Sequence, residues 1–280
     1  VIQDLTTCLL PLYEVSCPDC GTLCQIDYTV LEDKLESEHR LEAQSIVFHC
    51  PQCKKKIRKA PDADDLSKQE SALYENLFYP KDFFFGDEPK RNYKRGIKQV
   101  YQLYSRRNLS ALSLLLHNIK NLKDENLRQL CLFSFTSILF NCSIMSRYNP
   151  KYENTQIKMG TYYVHQFIKD NSVVVSFARK MRSVVKAKKE IYSSPYNYSG
   201  DVLYSSATDL SHIPDNSIDY LYTDPPYSDK ISYAELNIVF ESWLGNGCTN
   251  TDNEMIVTKS GNKGIAEYAT MFSSFLSEAY

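Results

Sequence analysis

The sequence predicts an α/β protein interrupted by a cysteine-bearing ribbon and an α-helical region. Two C-x-x-C pairs lie within residues 13–60, residues 96–190 carry apolar positions at helical spacing, and residues 191–280 alternate strand and helix. The chain has 280 residues, 43% hydrophobic and 24% charged, enough for a sizeable core in one to three domains. That composition excludes a disordered tail and a collagen-like repeat. Nine glycines against 21 tyrosines put any function built on a glycine-rich phosphate loop at a disadvantage.

In the ribbon, Cys17-x-x-Cys20 and Cys50-x-x-Cys53 form two knuckles, and Gly21 lets the backbone turn sharply after the first. β-prone runs, CQIDYTV and SIVFHC, flank them, as in a zinc ribbon where two hairpins present four thiolates tetrahedrally to Zn²⁺. Four thiolates leave no open coordination position, so this zinc is expected to hold structure and not to activate water. Cys24 and His49 are near enough in sequence to be substitute ligands. An odd cysteine count, with no basic n-region or small-residue cleavage site at the start of the chain, points to a reducing cytoplasm and to metal over a disulfide framework.

Residues 61–95, with Pro61, Pro80 and Pro89, read as a connector. Beyond it Leu112, Leu115, Leu116, Ile119 and Leu122 predict a helix, with Asn108 and Ser110 as candidate N-caps. A second helix is expected from about Glu125 to Met145, apolar nearly all round. Its polar interruptions leave it short of a membrane span, so no membrane partner is expected. A third, basic helix is expected through FARKMRSVVKAKKEIY.

In the last ninety residues, VLYSSA and Ile218–Thr223 read as strands. The second leads into Asp224-Pro225-Pro226-Tyr227, which neither strand nor helix can contain because two prolines remove backbone donors. Leu236, Val239, Phe240 and Trp243 then share a helical face closed by Gly245. A loop at the carboxyl end of a strand is where open α/β sheets place their ligands.

This loop, with its lead-in ATDLSHIPDNSIDYLYTDPPYSD, resembles that of S-adenosylmethionine-dependent amino methyltransferases acting on nucleic acid, whose catalytic loop is D/N/S-P-P-Y/F/W. The run from Gly96 and Ile97 through Leu103, Arg107, Asn108, Leu109, Ala111 and Leu112 is similar to a segment of the large adenine-specific DNA methylases, with Tyr104 in place of Phe. The resemblance implies a partial Rossmann-like methyltransferase domain at residues 1–12 and 191–280, around the inserted ribbon and helices. It also implies Asp224 and a Pro-Pro carbonyl as acceptors for a base amine, and Tyr227 as a stacking face for a base rotated out of the duplex. Asp at the first loop position suggests N6 of adenine over N4 of cytosine. Tyr233 and Glu235 resemble a D-x-x-x-Y-x-E-L run after the loop. Where relatives place Gly-Asp against the cofactor, this chain has Ser205 and Ser206, with Asp209 shortly after.

The net charge of −2 means that DNA must be held by local patches. Three basic clusters qualify: Lys54 to Lys59, Lys90 to Lys98, and Arg179 to Lys189. Arg107 is a candidate substrate contact, through a phosphate, or with Arg106 a residue that orients the catalytic region, and Tyr233 is a further candidate substrate contact. The leading expectation is a cytoplasmic DNA methyltransferase using S-adenosylmethionine with a structural zinc. The alternative is a noncatalytic zinc-ribbon nucleic-acid-binding module joined to a degenerate methyltransferase-like domain, and RNA as substrate is compatible with the same loop chemistry. The family's aromatic-x-Gly-x-Gly cofactor loop is missing: Gly245 and Gly247 follow a helix, and Gly261 and Gly264 have no strand before them. An internal fragment is therefore expected, with the glycine motif before Val1, further strands after Tyr280, and little activity of its own.

Overall fold

Two edges of one long strand organise the sheet. In a computed structural model of the protein, all residues are described except 35–40, 153–156, 159, 195–199, 204, 246, 248–250 and 259–262. Helix α1 (Ile2–Thr6) and a 3₁₀ segment (Thr7–Tyr13) lead into strands β1 (Glu14–Ser16), β2 (Leu23–Asp33), β3 (Leu41–Cys50) and β4 (Lys55–Lys59). Helices α2 (Ala63–Gln69), α3 (Arg106–Lys120) and α4 (Glu125–Thr136) follow, then β5 (Phe167–Asn171), α5 (Val173–Tyr192), α6 (Tyr233–Leu244) and α7 (Ile265–Ala279). The strands form a five-stranded antiparallel sheet of order β1-β2-β3-β4, with β5 added to β2. β1 pairs with the start of β2 at Leu23–Gln25, β5 pairs further along at Tyr28–Glu32, and β3 runs beside it on the other side.

A β-bulge decides which residues face the core. The β2–β3 register steps from Ile26↔Phe48 to Tyr28↔Val47, so Asp27 is an extra residue. One inserted residue moves every later side chain to the opposite face. Ile26 before it and Leu31 after it therefore both point into the main core with Ile46, Phe48, Ile57 and Ile168, while Tyr28, Val30 and Val47 form a small cluster on the outer face. The carbonyl of Asp27 accepts from the Ser172 N–H at 2.9 Å, and Ser172 is the N-cap of α5. The bulge thus fixes where the basic helix leaves the sheet.

The inner face packs on helices through a buried polar web. Arg107, 1% exposed, donates to Asp170 at 3.0 Å and to Thr29 at 2.7 Å, two residues that are register partners in β5 and β2. The Ser105 hydroxyl donates to the same carboxylate at 3.0 Å, and its oxygen also caps α3 by accepting from the Asn108 N–H. Asn108 spans further, donating to the carbonyls of Cys142 and Asn171 and accepting from the Tyr13 hydroxyl. Burial pushes the Asp170 carboxyl up and the Arg107 guanidinium counters it.

Several sequence expectations are corrected here. The N-cap of α3 is Ser105, not Asn108 or Ser110, because both of those lie inside the helix. The second helix stops at Thr136 instead of running to Met145. Ser134, Thr136 and Ser137 return their hydroxyls to carbonyls of the preceding turn, and the chain continues as packed turns that still bury Leu139, Cys142 and Ile144. The connector contains α2, closed by a reciprocal Asp62–Asp65 capping box. The helical region also donates β5 to the ribbon's sheet. A parallel, Rossmann-like sheet has no counterpart among the described residues. Residues 218–223 are irregular, with a bend at Asp219 and no ladder, Tyr220 and Tyr222 being 79% and 82% exposed. The same holds for the described part of VLYSSA; Tyr204 within it, and Gly261, lie outside the described residues. A parallel strand is stable only between neighbours that satisfy its backbone and cover both faces, and these segments have none among the described residues.

Removing one partner of a buried ion pair leaves the other charge stranded. Asp170→Ala should therefore cost about 3–5 kcal/mol in urea unfolding, and the double change Arg107→Met with Asp170→Leu should recover most of it. An Asp170→Ala protein as stable as the parent would refute this role.

Candidate functional site

Two sites emerge from the geometry, at opposite parts of the chain. At the first, the turns after β1 and β3 bring Cys17, Cys20, Cys50 and Cys53 together, all four sulfurs lying within 4.8 Å of one another. Cys17 and Cys53 are 3.8 Å apart and Cys20 and Cys50 3.6 Å. A Zn–S bond of about 2.3 Å requires tetrahedral edges of about 3.8 Å, so the donor set and its spacing fit zinc. The knuckles share one geometry. Gly21 follows the first in the left-handed region at φ 71°, and Lys54 takes the same place after the second at φ 54°. The Cys53 N–H donates to the Cys50 sulfur at 3.4 Å.

The four thiols do not titrate alike. Hydrogen bonding at Thr22 lowers Cys20 to about 6, and the Cys53 N–H lowers Cys50. Contact with Cys20 raises Cys53, and burial raises Cys17. Charge on two of the sulfurs opposes charge on the others, a conflict that a bound divalent cation removes. Cys24 stays outside the cluster: its thiol donates to the Thr22 carbonyl, and burial pushes it up to about 11. His49 is exposed on β3.

The second site is the Asp224–Tyr227 loop, which lies in irregular structure before α6. Asp224 is exposed, the two prolines are half-buried, and the Tyr227 ring is 64% exposed. The Asp224 carboxylate, hydrogen-bonded to the phenol, pushes the Tyr227 pKa up. The two side chains expected to meet a base therefore engage each other here. Tyr268 of α7 donates to the Pro226 carbonyl at 2.7 Å.

Helix α6 is tied firmly to the body. Trp243, the single tryptophan, is fully buried, donates its indole N–H to the Tyr104 hydroxyl at 3.0 Å and packs edge-on against Tyr104 and Phe135. Glu235 accepts from the Glu88 N–H at 2.9 Å, and its carbonyl accepts from the Tyr162 hydroxyl. Its side chain lies over Gly86, where φ is 81° and an added Cβ would stand 2.0 Å from the Glu235 Cδ. Tyr233, the first residue of α6, is 44% exposed near the loop.

The remaining predicted site residues fall elsewhere. Ser206 and Asp209 do not form a cofactor cradle. The Ser206 hydroxyl engages that of Thr208 at 2.8 Å, and Asp209 accepts from the N–H and hydroxyl of Ser211. Their segment reaches α7 where the Leu210 N–H meets Glu278, ten residues and about 15 Å along the helix from Tyr268. Arg107 is enclosed in the Asp170 web and not turned toward solvent. Sequence reasoning missed Tyr268 as a loop contact, Gly86 as the seat of Glu235, and Asp170 as the partner of Arg107. Each is joined to its partner across 42 to 149 positions with no local pattern to betray it; the exception is the positive φ that a lone glycine permits. Comparison with protein-family models, curated proteins and solved structures finds no match for this chain. Among the described residues, no helix is long and apolar enough to cross a membrane.

Cys53→Ser should abolish stoichiometric zinc as measured by elemental mass spectrometry, whereas Cys24→Ser and His49→Ala should retain it. Zinc lost from either of the latter would enlarge the ligand set. Gly86→Ala should destabilise the chain by about 1 kcal/mol through its positive φ and displace Glu235. That cost should persist in Gly86→Ala with Glu235→Ala, measured by thermal unfolding.

Proposed function

We propose that the chain carries the amine-receiving loop of an S-adenosylmethionine-dependent DNA methyltransferase acting on N6 of adenine, with a structural zinc in its four-cysteine ribbon. The observation that carries the reading is the Asp224-Pro225-Pro226-Tyr227 loop itself, exposed, outside any strand or helix, and followed at once by a helix anchored through Trp243 and Glu235. An exocyclic amine is a poor nucleophile because its lone pair is delocalised into the ring. A carboxylate and a carbonyl that accept its two N–H bonds favour a pyramidal nitrogen with an available lone pair. Asp224 supplies the carboxylate once the Tyr227 phenol releases it. The prolines restrict the backbone, and Tyr268 holds the Pro226 carbonyl, which leaves that of Pro225 as the acceptor for substrate. Tyr227 offers its exposed face for stacking. The cofactor of this reaction class supplies a methyl already activated on sulfonium. Ser206 and Asp209 bond to neighbours within their own turn, and the Rossmann-like cofactor domain rests on the resemblance of the loop and its lead-in.

The second reading, a noncatalytic nucleic-acid-binding module, is favoured by the exposed segments at 202–203, 205–207 and 218–223, which have no strand partner among the described residues. Transfer of labelled methyl to DNA by the product of the intact gene separates the two. Asp224→Ala should lower transfer by about 10²–10³-fold, the cost of losing one aligned acceptor, with zinc content and thermal unfolding unchanged. Undiminished transfer in that variant would overturn the role of the loop, and no transfer by the parent would favour the second reading.

A further inference from the structure

The outer face of the sheet, opposite the helices, is covered by cations laid over aromatic rings. On β4, Lys56 and Arg58 both point outward, two residues apart and about 7 Å along the strand. The Lys56 ammonium stands 5.5 Å from the Tyr28 ring centre and the Arg58 guanidinium 5.4 Å from that of Tyr148. Lys169 of β5 covers the other side of Tyr28 at 4.5 Å. These contacts hold long side chains in place over apolar surface while Lys56 and Arg58 keep their heads in water. Burial raises the Asp27 carboxyl at the bulge, and the charges of Lys56, Arg179, His49 and Lys169 counter it. Lys56 and Arg58 of the first basic cluster thus lie on this face, and Arg179 of the α5 cluster adds to its positive field. Other members of the first and third clusters pair with acids: Lys55 with Asp19 and Lys59 with Asp62 and Asp65 in the first, and Lys90 with Asp87, Arg91 with Glu88 and Arg95 with Asp33 in the third. Acidic Glu32 and Glu42 lie at the far end of the sheet, where both engage Lys34.

We propose that this outer sheet face, centred on Lys56 and Arg58 of β4 and extended by Arg179 of α5, holds the phosphate backbone of duplex DNA. It rests on the DNA reading above for the choice of duplex DNA over another polyanion. The face complements a phosphate backbone in charge, and its cations are pre-positioned by the rings beneath them. Contacts to phosphates position a duplex and give affinity without sequence information.

The test is binding of the full chain to a short DNA duplex, followed by fluorescence anisotropy from about 50 to about 200 mM salt. Each phosphate contact contributes a slope of about −0.9 in log K against log salt, or about eight-fold at 0.1 M. Lys56→Gln with Arg58→Gln should weaken binding about sixty-fold at 0.1 M salt and flatten the slope by about 1.8. Lys90→Gln with Arg91→Gln should leave both unchanged. Should the first pair disturb zinc content, Arg58→Gln alone is decisive, since among the described residues its guanidinium meets the Ser45 hydroxyl and the Tyr148 ring, away from the cysteines; it should weaken binding about eight-fold. Unchanged affinity in the β4 variants, an equal loss in the Lys90 pair, or tighter binding to single-stranded RNA of the same length would overturn the proposal. Asp224→Ala should bind DNA normally, so a product of the intact gene that binds DNA through this face and never methylates it would overturn the methyl-transfer reading alone.

Discussion

The pairing of Arg107 with Asp170 is the constraint on which the rest of the structure depends. Its two charges are fully buried, an arrangement tolerable only where the geometry and further hydrogen bonds repay desolvation. Here Thr29 and Ser105 supply those bonds. The pair joins the start of α3 to the register of β2 with β5, and Asn108 carries the same web to Tyr13, the turn at Cys142 and the end of β5. Residues far apart in sequence are thereby fixed into one core, with the cysteine ribbon at one end of the sheet and α6 docked beyond α3.

That web changes the meaning of a motif. Arg107 reads from sequence as a candidate substrate contact and Asn108 as a candidate N-cap. The structure spends both on architecture. A charged residue announces that it needs a partner but not where that partner is, and Asp170 lies 63 positions away. The ribbon was more legible, because its ligands come in two local pairs whose spacing alone implies a tetrahedron. The α6 helix was legible for the same local reason, down to the left-handed Gly245 that ends it. Its seat on Gly86 and Tyr162 was not. The second helix was overread because apolar content signals burial, and packed turns bury apolar side chains as well as a helix does.

The Asp224–Tyr227 loop behaves differently from this body. Asp224 and Tyr227 lie open to solvent and bonded to each other, with Tyr268 donating to the Pro226 carbonyl. The lead-in that reads as a strand has no neighbours to pair with among the described residues, so its sequence signal and its backbone disagree. A strand propensity is a demand for partners, and it goes unmet among the described residues. The zinc site and the loop are chemically independent: four thiolates fill a coordination sphere, whereas transfer from a sulfonium needs only alignment.

The claim that this loop receives the amine of adenine is tested most directly by single-molecule sequencing of DNA from cells expressing the intact gene. The account predicts N6-methyladenine at a defined sequence context, absent from cells lacking the gene. Unmodified DNA, or methyl groups confined to N4 of cytosine, would contradict it.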